Sequence, residues 1–135
     1  MRHRKKTIKL GRDTAHREAM LANMVCSLIQ EKRIKTTIAK ARAARTIAEK
    51  MVTLGKKGDL AARRRAISKL RNKDAVAELF TNIAPAMAER QGGYTRMLKI
   101  GTRPSDASEM VILEWTDVTV APVEAEDAPA ESAAE

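Results

Sequence analysis

Tyr94-Thr95-Arg96-Met97-Leu98-Lys99-Ile100 and Met110-Val111-Ile112-Leu113-Glu114-Trp115-Thr116 are two β-rich runs in a chain that otherwise reads as helical. Between them lies Gly101-Thr102-Arg103-Pro104-Ser105-Asp106-Ala107-Ser108, rich in turn formers. Adjacent antiparallel strands are the economical pairing. Gln91-Gly92-Gly93 separates the first run from the helical part. A third, shorter β candidate lies upstream, Arg33-Ile34-Lys35-Thr36-Thr37, and can join the same sheet.

Working outward, four stretches predict helices. The first starts near Asp13 or Thr14, either able to cap it, and ends around Gln30 to Lys32. Its buried face is Met20, Leu21, Met24, Val25, Leu28 and Ile29, with Cys26 beside it as a small packing residue. The second starts at Thr37 or a neighbour and runs to about Leu54, with Ala44, Ile47, Ala48, Met51 and Val52 inward and Gly55-Lys56-Lys57-Gly58 as its stop. The third spans 60–71 after the N-cap Asp59, with Leu60, Ile67 and Leu70 inward. Arg63, Arg64 and Arg65 sweep roughly 200° of its surface at 100° per residue, so it is expected to pack shallowly. The fourth spans about Asp74 to Arg90, with Val76, Leu79, Phe80, Ile83 and Met87 inward and a kink at Pro85. The expected fold class is α+β, a mixture of about four helices packed on a small sheet of two to three strands. A basic N-terminal arm (1–12), one globular domain (13–117) and a disordered acidic tail (118–135) complete the organisation.

Charge is distributed unevenly. The formal net charge is +9, but all 26 Lys and Arg lie at or before Arg103 and nine of the 17 acids lie after it, so residues 1–103 carry +18. That excess self-repels in a compact domain and is relieved by a polyanion, nucleic acid by default. A membrane partner is not expected: no apolar run reaches the length of a spanning helix, and no apolar segment follows Met1-Arg2-His3-Arg4-Lys5-Lys6 to make a secretion signal. One cysteine excludes an internal disulfide and fits a reducing, cytoplasmic setting.

No catalytic constellation is visible. His3 and His16 lack metal-ligand neighbours, the acids of 1–103 are scattered among bases, and no glycine-rich nucleotide loop occurs. No enzyme, cofactor, metal or small-molecule substrate is expected. Phe80, Tyr94 and Trp115 are the only aromatics, and the core claims at least two, too few for base-stacking platforms. Binding is then directed at phosphates of folded or duplex nucleic acid, by Arg and Lys.

Several segments resemble a known family in order and at its spacing. Met1-Arg2-His3-Arg4-Lys5, Lys9-Leu10-Gly11-Arg12 and His16-Arg17 open it; Ile34-Lys35-Thr36-Thr37-Ile38-Ala39-Lys40-Ala41 is its most diagnostic stretch. Ala48-Glu49-Lys50, Thr53-Leu54, Lys56-Lys57-Gly58, Leu79-Phe80, Ile83-Ala84-Pro85 and Gly92-Gly93-Tyr94-Thr95-Arg96 continue it. The chain resembles, over about residues 1–117, the bacterial large-subunit ribosomal protein L-seventeen family. Asp13 departs from it, standing where the family usually has a small or hydroxyl residue. The resemblance implies an α/β fold and a structural role in the large ribosomal subunit, supporting assembly and translation in the cytoplasm. It implies large-subunit ribosomal RNA on the solvent side towards the tunnel exit, and neighbouring ribosomal proteins, as partners. Carried onto this sequence, the implied RNA contacts are Arg2, His3, Arg4, Lys5, Lys6, Lys9, Arg12, His16, Arg17, Lys35, Lys40, Arg42, Arg45, Lys56, Lys57, Arg63, Arg64 and Arg96. The alternative is a nucleoid-type DNA-binding protein, which shares the charge and size but needs a dimer seam or minor-groove wedge that the sequence does not display. A basic nuclease or RNA-modifying enzyme would need an acid or histidine cluster.

Overall fold

The computed structural model describes His3 and residues 8–118. The chain runs α1 (Thr14–Glu31), β1 (Arg33–Thr37), α2 (Ile38–Lys57), α3 (Leu60–Leu70), α4 (Lys73–Glu78), a π-helical turn (Leu79–Ile83), α5 (Ala84–Ala86), β2 (Thr95–Thr102) and β3 (Glu109–Trp115). Residues 73–86 form one continuous helical stretch, so four helical bodies pack on one sheet, in the fold class that the sequence pattern implies.

The sheet is antiparallel with order β1-β3-β2. The hairpin partners are adjacent, and the short upstream strand joins β3, placing the last strand at the centre. Alternation then fixes two faces. Val111, Leu113 and Trp115 are buried against the helices, while Met110, Ile112 and Glu114 point to the other side. Trp115 donates its indole N–H to the carbonyl of Leu28 at 3.0 Å, so the largest core side chain satisfies its one donor while tying β3 to α1.

The core is aliphatic. Val25, Leu28 and Ile29 of α1 meet Ala41, Ala44, Ala48 and Val52 of α2 and Val76, Leu79 and Ile83 of the fourth body, all fully inaccessible. Each such Leu, Ile or Val contributes roughly 1.5–3 kcal/mol of burial. Cys26 is buried as a packing residue and its thiol donates to the Leu70 carbonyl; burial raises its pKa.

Several local expectations are corrected. Asp13 occupies the N-cap of α1, but its side chain makes no capping bond; Thr37 likewise heads α2 without one. Asp59 does cap α3, accepting from the Ala62 N–H at 2.7 Å. Asn72, not singled out beforehand, caps α4 by accepting from Asp74 and Ala75, both at 3.1 Å. α2 does not stop at Gly55; it continues to Lys57 and ends at Gly58, whose φ of 67° is left-handed. Gly55 lies inside the helix because the chain crosses close by: a Cβ there would stand 2.8 Å from Cβ of Ala84.

Helix α3 packs more firmly than expected. Ala62, Ala66 and Leu70 are buried on one stripe, because alanine lets helix backbones approach closely. Leu60, expected inward, is 63% exposed; it starts the helix on the far side of that stripe. The expected kink at Pro85 takes a specific form. One turn before the proline the helix widens, with the Ala84 N–H bonding the Leu79 carbonyl in a five-residue step.

At the N-terminal end, Leu10 packs against the core and Arg12 closes a turn with its N–H on the Lys9 carbonyl at 3.2 Å. The last residues of the basic arm are thereby fixed to the domain by Leu10, an apolar side chain too isolated in sequence to register as a pattern. Val118, expected to open the tail, also packs against the core. The rest of the tail, and Arg2, Arg4, Lys5 and Lys6 of the arm, lie outside the described residues.

Candidate nucleic-acid interface

One groove gathers residues that the sequence leaves far apart. It has a volume of about 500 Å³ and lies between α1 and the β1–α2 connection. His16, Asn23 and Ser27 line it from α1, Lys35 and Thr36 from β1, and Lys40 from α2. Met20, Met24 and Ile34 form its floor. The α1 residues fall on one helical face by their spacing of seven and four. The strand and helix approach from the other side because Thr37 ends one and begins the next without a loop. The groove therefore presents an imidazole, two ammonium groups, two hydroxyls and an amide around an apolar floor. Such a rim donates hydrogen bonds to anionic oxygens, and its floor excludes water beneath them.

Arg12 and Arg17 lie at the N-terminal end of α1, Arg17 next in sequence to the groove residue His16. Arg12 donates to the Leu10 carbonyl at 2.6 Å and Arg17 to the Arg12 carbonyl at 3.4 Å, so the turn and the helix orient both guanidinium groups. Lys9 and His3 are exposed. A second cationic surface is the outer side of α3. Arg63, Arg64 and Arg65 are all exposed, because Ala62 and Ala66 occupy the only buried stripe. Arg63 lies over the half-buried Phe80 ring, 5.6 Å from its centroid, which restrains that side chain. Arg42 and Lys57 are exposed on α2.

Other expected contacts are engaged within the protein. Lys56 donates to the Arg90 carbonyl at 2.6 Å and to the Tyr94 hydroxyl at 3.1 Å, clamping the end of α2 to the segment before β2. Arg45 pairs with Glu49 at 3.2 Å, one turn along α2, and Glu49 also accepts from the Thr95 hydroxyl at 3.1 Å. Arg96 pairs with Glu114. These three cations lie on the surface with part of their donors free, but their geometry already has an intramolecular cause.

Glu114 is the centre of an arrangement that sequence reasoning missed. It is 1% exposed in the central strand, and Arg33 and Arg96 are its register partners on either side. Arg33 donates through Nε and Nη2 to Oε2, at 3.1 and 2.6 Å, while Arg96 donates to Oε1. Burial pushes the carboxyl pKa up, but the hydrogen bonds from Arg96 and Arg33 outweigh it and hold it below its ordinary value. The row spans all three strands. An acid in an otherwise apolar run, with an Arg in each of the other two strands, was the available signal; the register needed to align them was not. Asn23 and Ser27 were also not named beforehand, and Arg65, read as part of the basic run on α3, was not among the implied RNA contacts.

Among the described residues no three His, Cys, Asp or Glu side chains gather to hold a metal, and no helix is long and apolar enough to cross a membrane. The family model described as ribosomal protein L17 matches residues 20–116. The chain belongs to this family. It is 54% identical over 124 residues to the large ribosomal subunit protein bL17 of Methylacidiphilum infernorum, covering 92% of this chain and 94% of that one. The bL17 protein of Finegoldia magna is 58% identical over 111 residues, 82% of this chain and 85% of its own. That of Akkermansia muciniphila is 49% identical over 130 residues, 96% of each. The family match covers the arginines of α3, the Arg33–Glu114–Arg96 row and the groove from Met20 onward, His16 lying just before its first residue.

Proposed function

We propose that this chain is a structural, non-enzymatic component of the large ribosomal subunit, placed in the cytoplasm with the ribosome, and that it holds ribosomal RNA through Lys and Arg contacts to phosphate. The observation that carries the reading is membership of the L17 family, supported by relatives named large ribosomal subunit protein, that of Methylacidiphilum infernorum matched over 94% of its length. The charge pattern supports it: +18 over residues 1–103 needs a polyanionic partner. The groove of His16, Lys35 and Lys40, with Arg12 and Arg17 at the N-terminal end of α1 and Arg63 and Arg64 on α3, is the main contact surface. Arg42, Lys57, Lys9 and His3 extend it, as do Arg2, Arg4, Lys5 and Lys6 of the arm. Arg45, Lys56 and Arg96 contribute to RNA only through the donors left over from their internal bonds. The chain is organised as an arm (1–12) whose last residues Leu10 holds to the domain, one domain (13–117) onto which Val118 also packs, and an acidic tail over the remainder to residue 135, with the arm adding charge and the domain supplying shape. Neighbouring ribosomal proteins complete the environment.

Co-sedimentation tests this directly. The chain should travel with large subunits at moderate salt and be absent from the nucleoid fraction. Partition with DNA instead would favour the nucleoid-type reading, and turnover of RNA by the purified protein would overturn a purely structural role.

A further inference from the structure

The sheet has helices on one face only, and its other face does not follow the usual polar-out alternation. The outward residues form three rows. Arg33, Glu114 and Arg96 make the first; Lys35, Ile112 and Leu98 the second; Thr37 and Met110 the third, opposite Gly101. Leu98 and Ile100 are each 43% exposed. Ile100 sits at the irregularity between Lys99 and Gly101, and it lines a small cavity of about 110 Å³ with Lys35 and Met110. Exposed Leu98 and Ile100 thus form an aliphatic strip with half-buried Met110 and Ile112, and apolar surface of this kind marks a protein-contact site.

The charges around the strip say what covers it. The face's one carboxylate, Glu114, is already shared by two arginines, so two positive charges answer one negative. The surface is apolar in the middle and cationic at its border. RNA complements the cations but offers nothing aliphatic, and no aromatic side chain is present here for a base to stack on. A second copy of the chain would bring like charge against like. We propose that this open sheet face docks a segment of a second protein, one that sets aliphatic side chains on Leu98 and Ile112 and a carboxylate beside Arg33, whose charge the shared Glu114 leaves partly unbalanced. The inference rests on the reading of the chain as a large-subunit component. It divides the molecule, with RNA on the helical groove and α3, and protein on the exposed sheet face.

The experiment uses large subunits purified from cells making the full chain with the photo-crosslinker benzoylphenylalanine in place of Leu98 or, separately, of Arg64. The Leu98 position should capture one segment of another polypeptide, rich in aliphatic residues and carrying Asp or Glu; the Arg64 position should capture RNA. Leu98→Asp should leave the melting temperature and the RNA affinity of the isolated protein unchanged. It should lower retention in salt-washed subunits by about tenfold, the scale of losing one buried anchor. Capture of RNA, of a second copy or of residues 119–135 at the Leu98 position would overturn the proposal, as would no capture there while Arg64 still reaches RNA. Capture of polypeptide at Leu98 without RNA at Arg64 would instead sustain the docking face and overturn the RNA reading.

Discussion

Replacing Glu114 with glutamine removes one charge from the middle of the sheet and changes little in shape. Glu114 is 1% exposed, whereas the Arg33 and Arg96 side chains are 40% and 56% exposed. Breaking a fully buried pair costs about 3–5 kcal/mol. Here both arginines can rehydrate and the glutamine keeps one acceptor, so the cost should fall to about 1–3 kcal/mol. For a domain of this size, that lowers the melting temperature by roughly 5–15 °C. The sign with pH follows from the depressed carboxyl. The folded pKa of Glu114 lies below its ordinary 4.5, so its stabilisation is complete above that value and is lost as pH falls through the folded pKa. Thermal melts of the wild type and Glu114→Gln should differ by a constant amount between about pH 6 and 8 and converge in acid below the ordinary carboxylate range. Equal melting temperatures at neutral pH, or a gap that persists undiminished in strong acid, would show that the ionised carboxylate does not lock the three strands.

Gly55→Ala should destabilise by about 1–3 kcal/mol, seen in a denaturant melt, because the new methyl meets Ala84 and neither helix can yield cheaply. Asp59→Ala and Asn72→Ala should each lose about 1 kcal/mol by removing a formed cap, whereas Asp13→Ala should cost far less, since no capping bond is present to lose. Single alanine substitutions at Arg63, Arg64 and Arg65 should weaken RNA binding unequally, each RNA-facing residue lowering the salt slope by about one contact; three equal losses would mean that RNA surrounds the helix. Deleting residues 2–7 removes Arg2, Arg4, Lys5 and Lys6 while keeping the Leu10 anchor, and should lower the slope of log K against log salt by about 3 if all four engage phosphate, with an unchanged melt.

The elements were legible where a period repeats. The α1 stripe and the two β runs could be read because several apolar residues recur at one spacing, and the sheet followed from the short loop between the runs. The misreadings occur where one residue depends on a distant neighbour. Gly55 looks like a helix stop until Ala84 is seen against it. Ala62 and Ala66 look too small to anchor α3, although smallness is what lets it approach α1 and α2. The candidate site was partly legible for the same reason. The family resemblance implied His16, Lys35 and Lys40 one by one, and only the fold brings them to one groove. Arg45, Lys56 and Arg96 were flagged on the same basis, but their internal partners at Glu49, Tyr94 and Glu114 depend on tertiary placement. Arg33 was passed over because its partner is 81 residues away.

Affinity of the full chain for folded large-subunit ribosomal RNA, measured against duplex DNA of equal charge over a range of salt, bears most directly on the central claim. Phosphate-directed binding to a shaped RNA surface gives a steep linear fall of log K with log salt, with RNA bound at least about tenfold more tightly than DNA at each salt concentration. Equal affinities for the two polyanions would reduce the groove and the arginines of α3 to a non-specific cationic surface. A flat salt dependence would contradict phosphate-directed binding altogether.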